Sequence, residues 1–141
     1  MRSPATKSAF WLFLSLVGAL PSCAGDGRSD YGQANLLPMY DEREKLPRQK
    51  QADAEFVATV ARSGKSRKEA ARHIAQRGWG FLEEGNPDMA IKRFNQAWLL
   101  DPDCPQAHWG FGIVAGSRDD TKGGIRPLQK ALALDPGCAR L

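Results

Sequence analysis

From residue 52 onward, apolar positions recur at helical spacing in blocks separated by Gly, Pro, Asn and Asp. Ala54, Val57, Ala58 and Ala61, with Phe56 and Val60 beside them, predict a short helix over 52–62 that Gly64 ends. Ser66-Arg67-Lys68-Glu69 has the form of a capping box, in which hydroxyl and carboxylate reciprocally satisfy N–H groups at a helix start. Ala70, Ala71, Ile74, Gly78, Phe81 and Leu82 follow, predicting a helix over 67–83 closed by Gly85 and Asn86. Asn86-Pro87 restarts the chain as N-cap and first helical residue. Ala90, Ile91, Phe94, Ala97, Trp98 and Leu99 then form one apolar face up to Asp101-Pro102. Another helix is expected over 105–116. Gly123 and Gly124 each cost about 1 kcal/mol in a helix interior, and a mid-helix Pro127 costs about 3 kcal/mol. The last helix is therefore expected to start late, near Gly124 or Ile125, and to be short or frayed.

The pattern before residue 52 is different. Arg2 and Lys7 precede an apolar run from Ala9 to Leu20. That run is shorter than the roughly 20 residues a bilayer span requires, so 1–22 reads as a cleaved export signal. Residues 23–51 are polar and broken by Gly25, Gly27, Gly32, Pro38 and Pro47, as a flexible linker would be. Leu36-Leu37-Pro38-Met39-Tyr40 is an apolar island within it. Exposed islands of this kind are uncommon, so it is expected to pack on the domain, with a partner-docking motif as the alternative.

The helical part repeats itself. Leu99-Leu100-Asp101-Pro102-Asp103-Cys104 returns as Ala133-Leu134-Asp135-Pro136-Gly137-Cys138, a shift of 34 residues. The same shift maps Gly78 to Gly112, Ala97 to Ala131 and Pro102 to Pro136. A fixed period of this length is the mark of a repeat architecture. The pattern resembles the tetratricopeptide repeat: Gly78, Phe81, Ala90, Phe94, Ala97 and Pro102 match its small, aromatic, small, aromatic, small and Pro places. A second, degenerate copy keeps Gly112, Leu128, Ala131 and Pro136 but has Ala115 and Gly124 where an aromatic and Ala are usual. The resemblance implies an all-α fold, a short α-solenoid of antiparallel helix pairs. One repeat would cover 71–104 and another 105–138, with 52–70 holding the preceding helix and the start of the first repeat helix.

It also implies a function. Members of this family bind partners along the inner face formed by the first helix of each repeat. The matching places here are Arg72, Ala75, Trp79 and Leu82, then Gln106, Trp109 and Ile113. These lack the Lys and Asn of the family's carboxylate-binding members and suggest a shallow apolar groove with Arg72 as its charge. Trp and Arg are common interface anchors, although Trp79 and Trp109 could equally serve only to pack the repeats. With nothing capping the last helix, an apolar edge is expected there, open to self-association or to a protein partner.

The N-terminal segment carries a second resemblance. Leu20-Pro21-Ser22-Cys23 is similar to the lipobox of bacterial lipoproteins, apart from Pro21, which implies lipid on Cys23 and a membrane tether. Ala24 after it resembles outer-membrane sorting, giving a lipoprotein that faces the periplasm. Ser22-Cys23-Ala24 also fits ordinary secretory cleavage, which would release a soluble periplasmic protein.

Charge adds little. The full chain has 20 basic and 16 acidic residues, net +4. Without Arg2 and Lys7 it has 18 and 16, or +2, and no basic stripe, so nucleic-acid binding is not expected. His73 and His108 lie on predicted helices without Cys, Asp or Glu at ligand or triad spacing. No catalytic residue, metal or cofactor is therefore expected. Cys104 and Cys138 fall at equivalent places in neighbouring repeats. Packed helices lie about 8–10 Å apart and a disulfide needs Cα atoms within about 7 Å, so a bond requires the chain end to bend back.

Overall fold

A computed structural model describes residues 32–137. Cys23, Pro21, Ala24 and Cys138 lie outside the described residues, as does the whole expected signal segment. The described chain is all-α: a 3₁₀ segment Pro38–Glu42, then α1 Pro47–Arg62, α2 Arg67–Glu83, α3 Pro87–Leu100, α4 Pro105–Ser117 and α5 Thr121–Leu134. Helices α2 and α3 form one antiparallel hairpin, α4 and α5 a second, and the hairpins pack side by side.

The helix starts follow from their caps. The Ser66 hydroxyl accepts the Glu69 N–H at 3.2 Å, and the Asn86 side chain accepts the Met89 N–H at 3.0 Å. At the far end of α3, the Arg67 guanidinium reaches across from the start of α2. It donates to the carbonyls of Leu100 (3.0 Å) and Leu99 (3.1 Å), two acceptors a helix terminus leaves unfilled.

The 34-residue shift holds for the backbone as well as the sequence. In the first hairpin turn the Asn86 N–H donates to the Phe81 carbonyl at 2.8 Å; in the second, Asp120 donates to Ala115 at 2.9 Å. Gly85 has φ +72° and its counterpart Asp119 has φ +60°. Both hairpins end on an aspartate, Asp101 or Asp135, whose carboxylate accepts the N–H two residues on, at 3.2 and 2.8 Å.

Three expectations are corrected. Helix α1 begins at Pro47 rather than 52, because Pro47 takes the first helical place and the Gln49 side chain accepts the Leu46 N–H at 2.7 Å. Helix α5 begins at Thr121 rather than 124 or 125. Asp120 caps it by accepting the Gly123 N–H at 2.9 Å, and the buried Pro127 sits within the helix without ending it. The two glycine positions are not simply costs: a Cβ on Gly124 would stand 3.1 Å from the Gly112 carbonyl, so the bare Cα lets α5 approach α4 closely. Finally, the flexible linker expected over 23–51 is ordered in its described part, where the apolar island Leu36–Tyr40 packs on the domain as expected. Residues 33–42 lie as a strap on the helices, with Tyr40 buried and Leu36 and Met39 packed against the core.

The core centres on Phe94, which is fully buried. Its ring lies between Gly78 of α2 and Gly110 of α4; a Cβ on either would come within 2.6 or 2.3 Å of the ring. Trp79 meets Phe94 edge-on with centroids 5.4 Å apart, and Phe111 does so at 6.3 Å. The second hairpin repeats the small-against-large contact with different residues: Gly112 faces Leu128, where a Cβ would fall 2.3 Å from the side chain. Ala90, Ala97 and Ala131 are fully buried beside these contacts.

Candidate functional site

The seven expected groove positions separate in the structure. Trp109 and Ile113 are four residues apart on one face of α4, Trp109 half-buried and Ile113 40% exposed. Arg72 is exposed on α2, while Leu82 and Gln106 are half-buried. Gln106 accepts a weak hydrogen bond from the Cys104 thiol at 3.5 Å. Ala75 is fully buried and belongs to the core, not to a binding surface. The apolar face of α2 is wide enough to take in Ala71, Ala75 and Gly78 together. Trp79 is half-buried against Phe94, and its indole N–H is buried without an acceptor. What remains as accessible surface is Arg72 with part of Leu82 on α2, and Trp109 with Ile113 on α4.

The outer edge of the second hairpin is apolar and open. On α5, Ile125 is 50% and Leu132 43% exposed, seven residues apart on one side of the helix. Their counterparts in the first hairpin are Ile91, fully buried in the core, and Trp98, half-buried beneath the strap.

Residues not anticipated from the sequence hold the strap. Asn95 is fully buried in the apolar face of α3. Its amide nitrogen donates to the carbonyls of Asn35 (3.1 Å) and Leu37 (3.0 Å). Two carbonyls can only accept, so the geometry fixes which way the amide points. Arg118, at the end of α4, donates to the Leu36 carbonyl and pairs with Asp88 at 2.8 Å. Tyr40 packs against Trp98 at 6.5 Å between centroids, and the Lys45 ammonium lies 3.7 Å from the centre of its ring. Met39, Tyr40, Asp41 and Glu42 all have φ between 51° and 60°. Left-handed backbone of this kind costs roughly 1–2 kcal/mol per residue and is kept only where surrounding contacts enforce it. The legible signal was a lone Asn inside the Ile91-Phe94-Trp98 stripe.

Two titratable groups are buried in the core. His108 is buried, its Nε2 donates to the Pro102 carbonyl at 2.7 Å, and Nδ1 has no partner. Burial pushes its pKa below the usual histidine value, keeping it neutral. Burial likewise raises the Cys104 thiol, which is free and protonated. Among the described residues no three His, Cys, Asp or Glu side chains converge, and no helix is long and apolar enough to cross a membrane.

The fold therefore defines the chain as an all-α stack of antiparallel helical hairpins. Comparison with protein-family models, with curated proteins and with solved structures yields no match.

Proposed function

We propose that this chain is a tetratricopeptide-type adaptor of the bacterial cell envelope, tethered to a membrane by lipid on Cys23 and acting by binding a protein partner rather than by catalysis. The observation that carries the repeat reading is the equivalence of the two hairpins at a shift of 34 residues, in the turn, the terminal aspartates and the Gly-to-large contact. The partner would meet the accessible part of the inner face: Trp109 and Ile113 as apolar anchors, Arg72 as the charge. The open edge of α5 would take a further helix or a second copy.

The tether rests on Leu20-Pro21-Ser22-Cys23 and would concentrate the domain near membrane partners. The competing reading, a soluble periplasmic protein, rests on Ser22-Cys23-Ala24 as an ordinary cleavage site. Labelled fatty acid should enter the native protein and be lost in Cys23→Ala; a native protein that takes up none is the soluble form. For the inner face, Trp109→Ala combined with Ile113→Ser should keep the native helix content and lose at least ten-fold in affinity for a crosslinked partner. Unchanged capture would place binding elsewhere.

A further inference from the structure

The strap crosses the outer side of the molecule over α3, and the open clefts beside it reach α4 and α5. Its fit is that of a ligand in a groove. Asn95 and Arg118 hold it through three main-chain carbonyls, a mode that grips the backbone with little regard to its side chains. One side chain, Tyr40, is buried as an anchor. Clefts of about 440 and 370 Å³ remain open along the strap, both bordered by Met39, Glu42, Arg126 and Pro127, so the segment is incompletely enclosed. The residues on either side of Tyr40 are held in left-handed backbone. The helix that follows, α1, contains no fully buried residue. The strap is thus specifically seated yet held by few groups.

We propose that this groove is an internal docking site whose occupancy sets the length of the membrane tether. The inference rests on the lipid-anchor reading above. With the strap seated, only residues 24–31 separate Cys23 from the docked chain. Fully extended, they reach about 30 Å. With the strap released, the free segment runs to Leu46 and reaches about 80 Å. Seated, the domain is confined to within about 30 Å of the anchor. Released, it can meet partners well away from the membrane. Any partner that competes for the Asn95 and Arg118 donors would switch one state to the other.

The test uses the full-length acylated protein in vesicles with dansyl-labelled lipid headgroups. Hydrogen exchange reads strap docking, energy transfer from the domain's tryptophans reads its height, and the mass of the N-terminal peptide reads acylation. In the native protein the amides of Leu36, Leu37 and Tyr40 should be protected. In Asn95→Ala they should exchange at least ten-fold faster while α2 and α3 are unchanged, and energy transfer should fall at least two-fold. Arg118→Ala should act in the same direction, guarding against a local defect in either variant. Strap amides that exchange at unstructured rates in the native protein overturn the docking site. Protected amides released by Asn95→Ala with no change in energy transfer overturn the control of tether length. A native N-terminal peptide without acyl mass overturns the anchor reading and the tether with it, independently of the exchange result.

Discussion

The first and second hairpins share a design but differ in how far it is buried. Phe94 is enclosed on two sides by Gly78 and Gly110, whereas its counterpart Leu128 has Gly112 on one side and remains half-buried. Ile91 is fully buried and Ile125 is half-exposed. The turn hydrogen bonds and terminal aspartates match, so the difference arises from neighbours: among the described residues the first hairpin has another stacked on it, and the second does not. Local sequence in such a stack specifies the hairpin, and position in the stack determines what each apolar residue contributes.

The largest expected contrast is at the core. Phe94→Ala should cost about 3–5 kcal/mol, since it empties the space between three helices, whereas Leu128→Ala should cost about 1–2 kcal/mol at a half-exposed site. Urea unfolding of both variants measures this, and equal losses would erase the distinction between the hairpins. Next, Ile91→Ala should lose about 2–4 kcal/mol and Ile125→Ala less than about 1 kcal/mol. If the Ile125→Ala cost grows with protein concentration, a second copy covers the α5 edge. Smaller still is the turn. Gly85→Ala should destabilise by about 1 kcal/mol, because its φ of +72° disfavours a side chain. Asp119→Gly, at the matching place, should be neutral or stabilise by about 0.5 kcal/mol in the same assay.

The last contrast is a dependence on pH. His108 is on α4, and the equivalent place in α2 is Ile74, so only the second hairpin carries a buried imidazole. Because folding lowers its pKa, the unfolded chain binds the proton more readily. Stability should therefore be constant above the unfolded value near 6.5 and fall as pH drops below it, levelling off once the folded imidazole is also protonated. Thermal melts from pH 8 to pH 5 should show this decline, and His108→Gln should reduce it. The same decline in the variant would assign it to other groups.

Much of the fold was legible because its punctuation is chemical. Ser66, Asn86-Pro87 and Pro105 set the starts of α2, α3 and α4, and the 34-residue shift paired them into hairpins. The start of α5 is obscured because Gly123, Gly124 and Pro127 each disfavour a helix when taken alone. Gly124 lets α5 approach α4 closely, and Pro127 is buried within α5, neither of which local pattern shows. The extra length of α1 was missed because Leu46 has no polar side chain to announce a cap. The groove was partly legible: spacing placed Trp109 and Ile113 on one face, but it could not reveal that α2 turns Ala75 into the core. The apolar island at 36–40 announces that the strap packs, but its pairing with Asn95, some sixty positions later, is a contact that no local pattern encodes.

The benzene ring of Phe94 has one wall from each hairpin, Gly78 on one side and Gly110 on the other. A fragment ending between Leu100 and Pro105 would leave that ring facing water, and a fragment starting there would have a notch with nothing to fill it. Neither half is a self-sufficient module. The pair should melt as one cooperative unit, and grafting either hairpin onto another scaffold would require a bulky side chain, or a bare Cα to receive one, waiting at the junction.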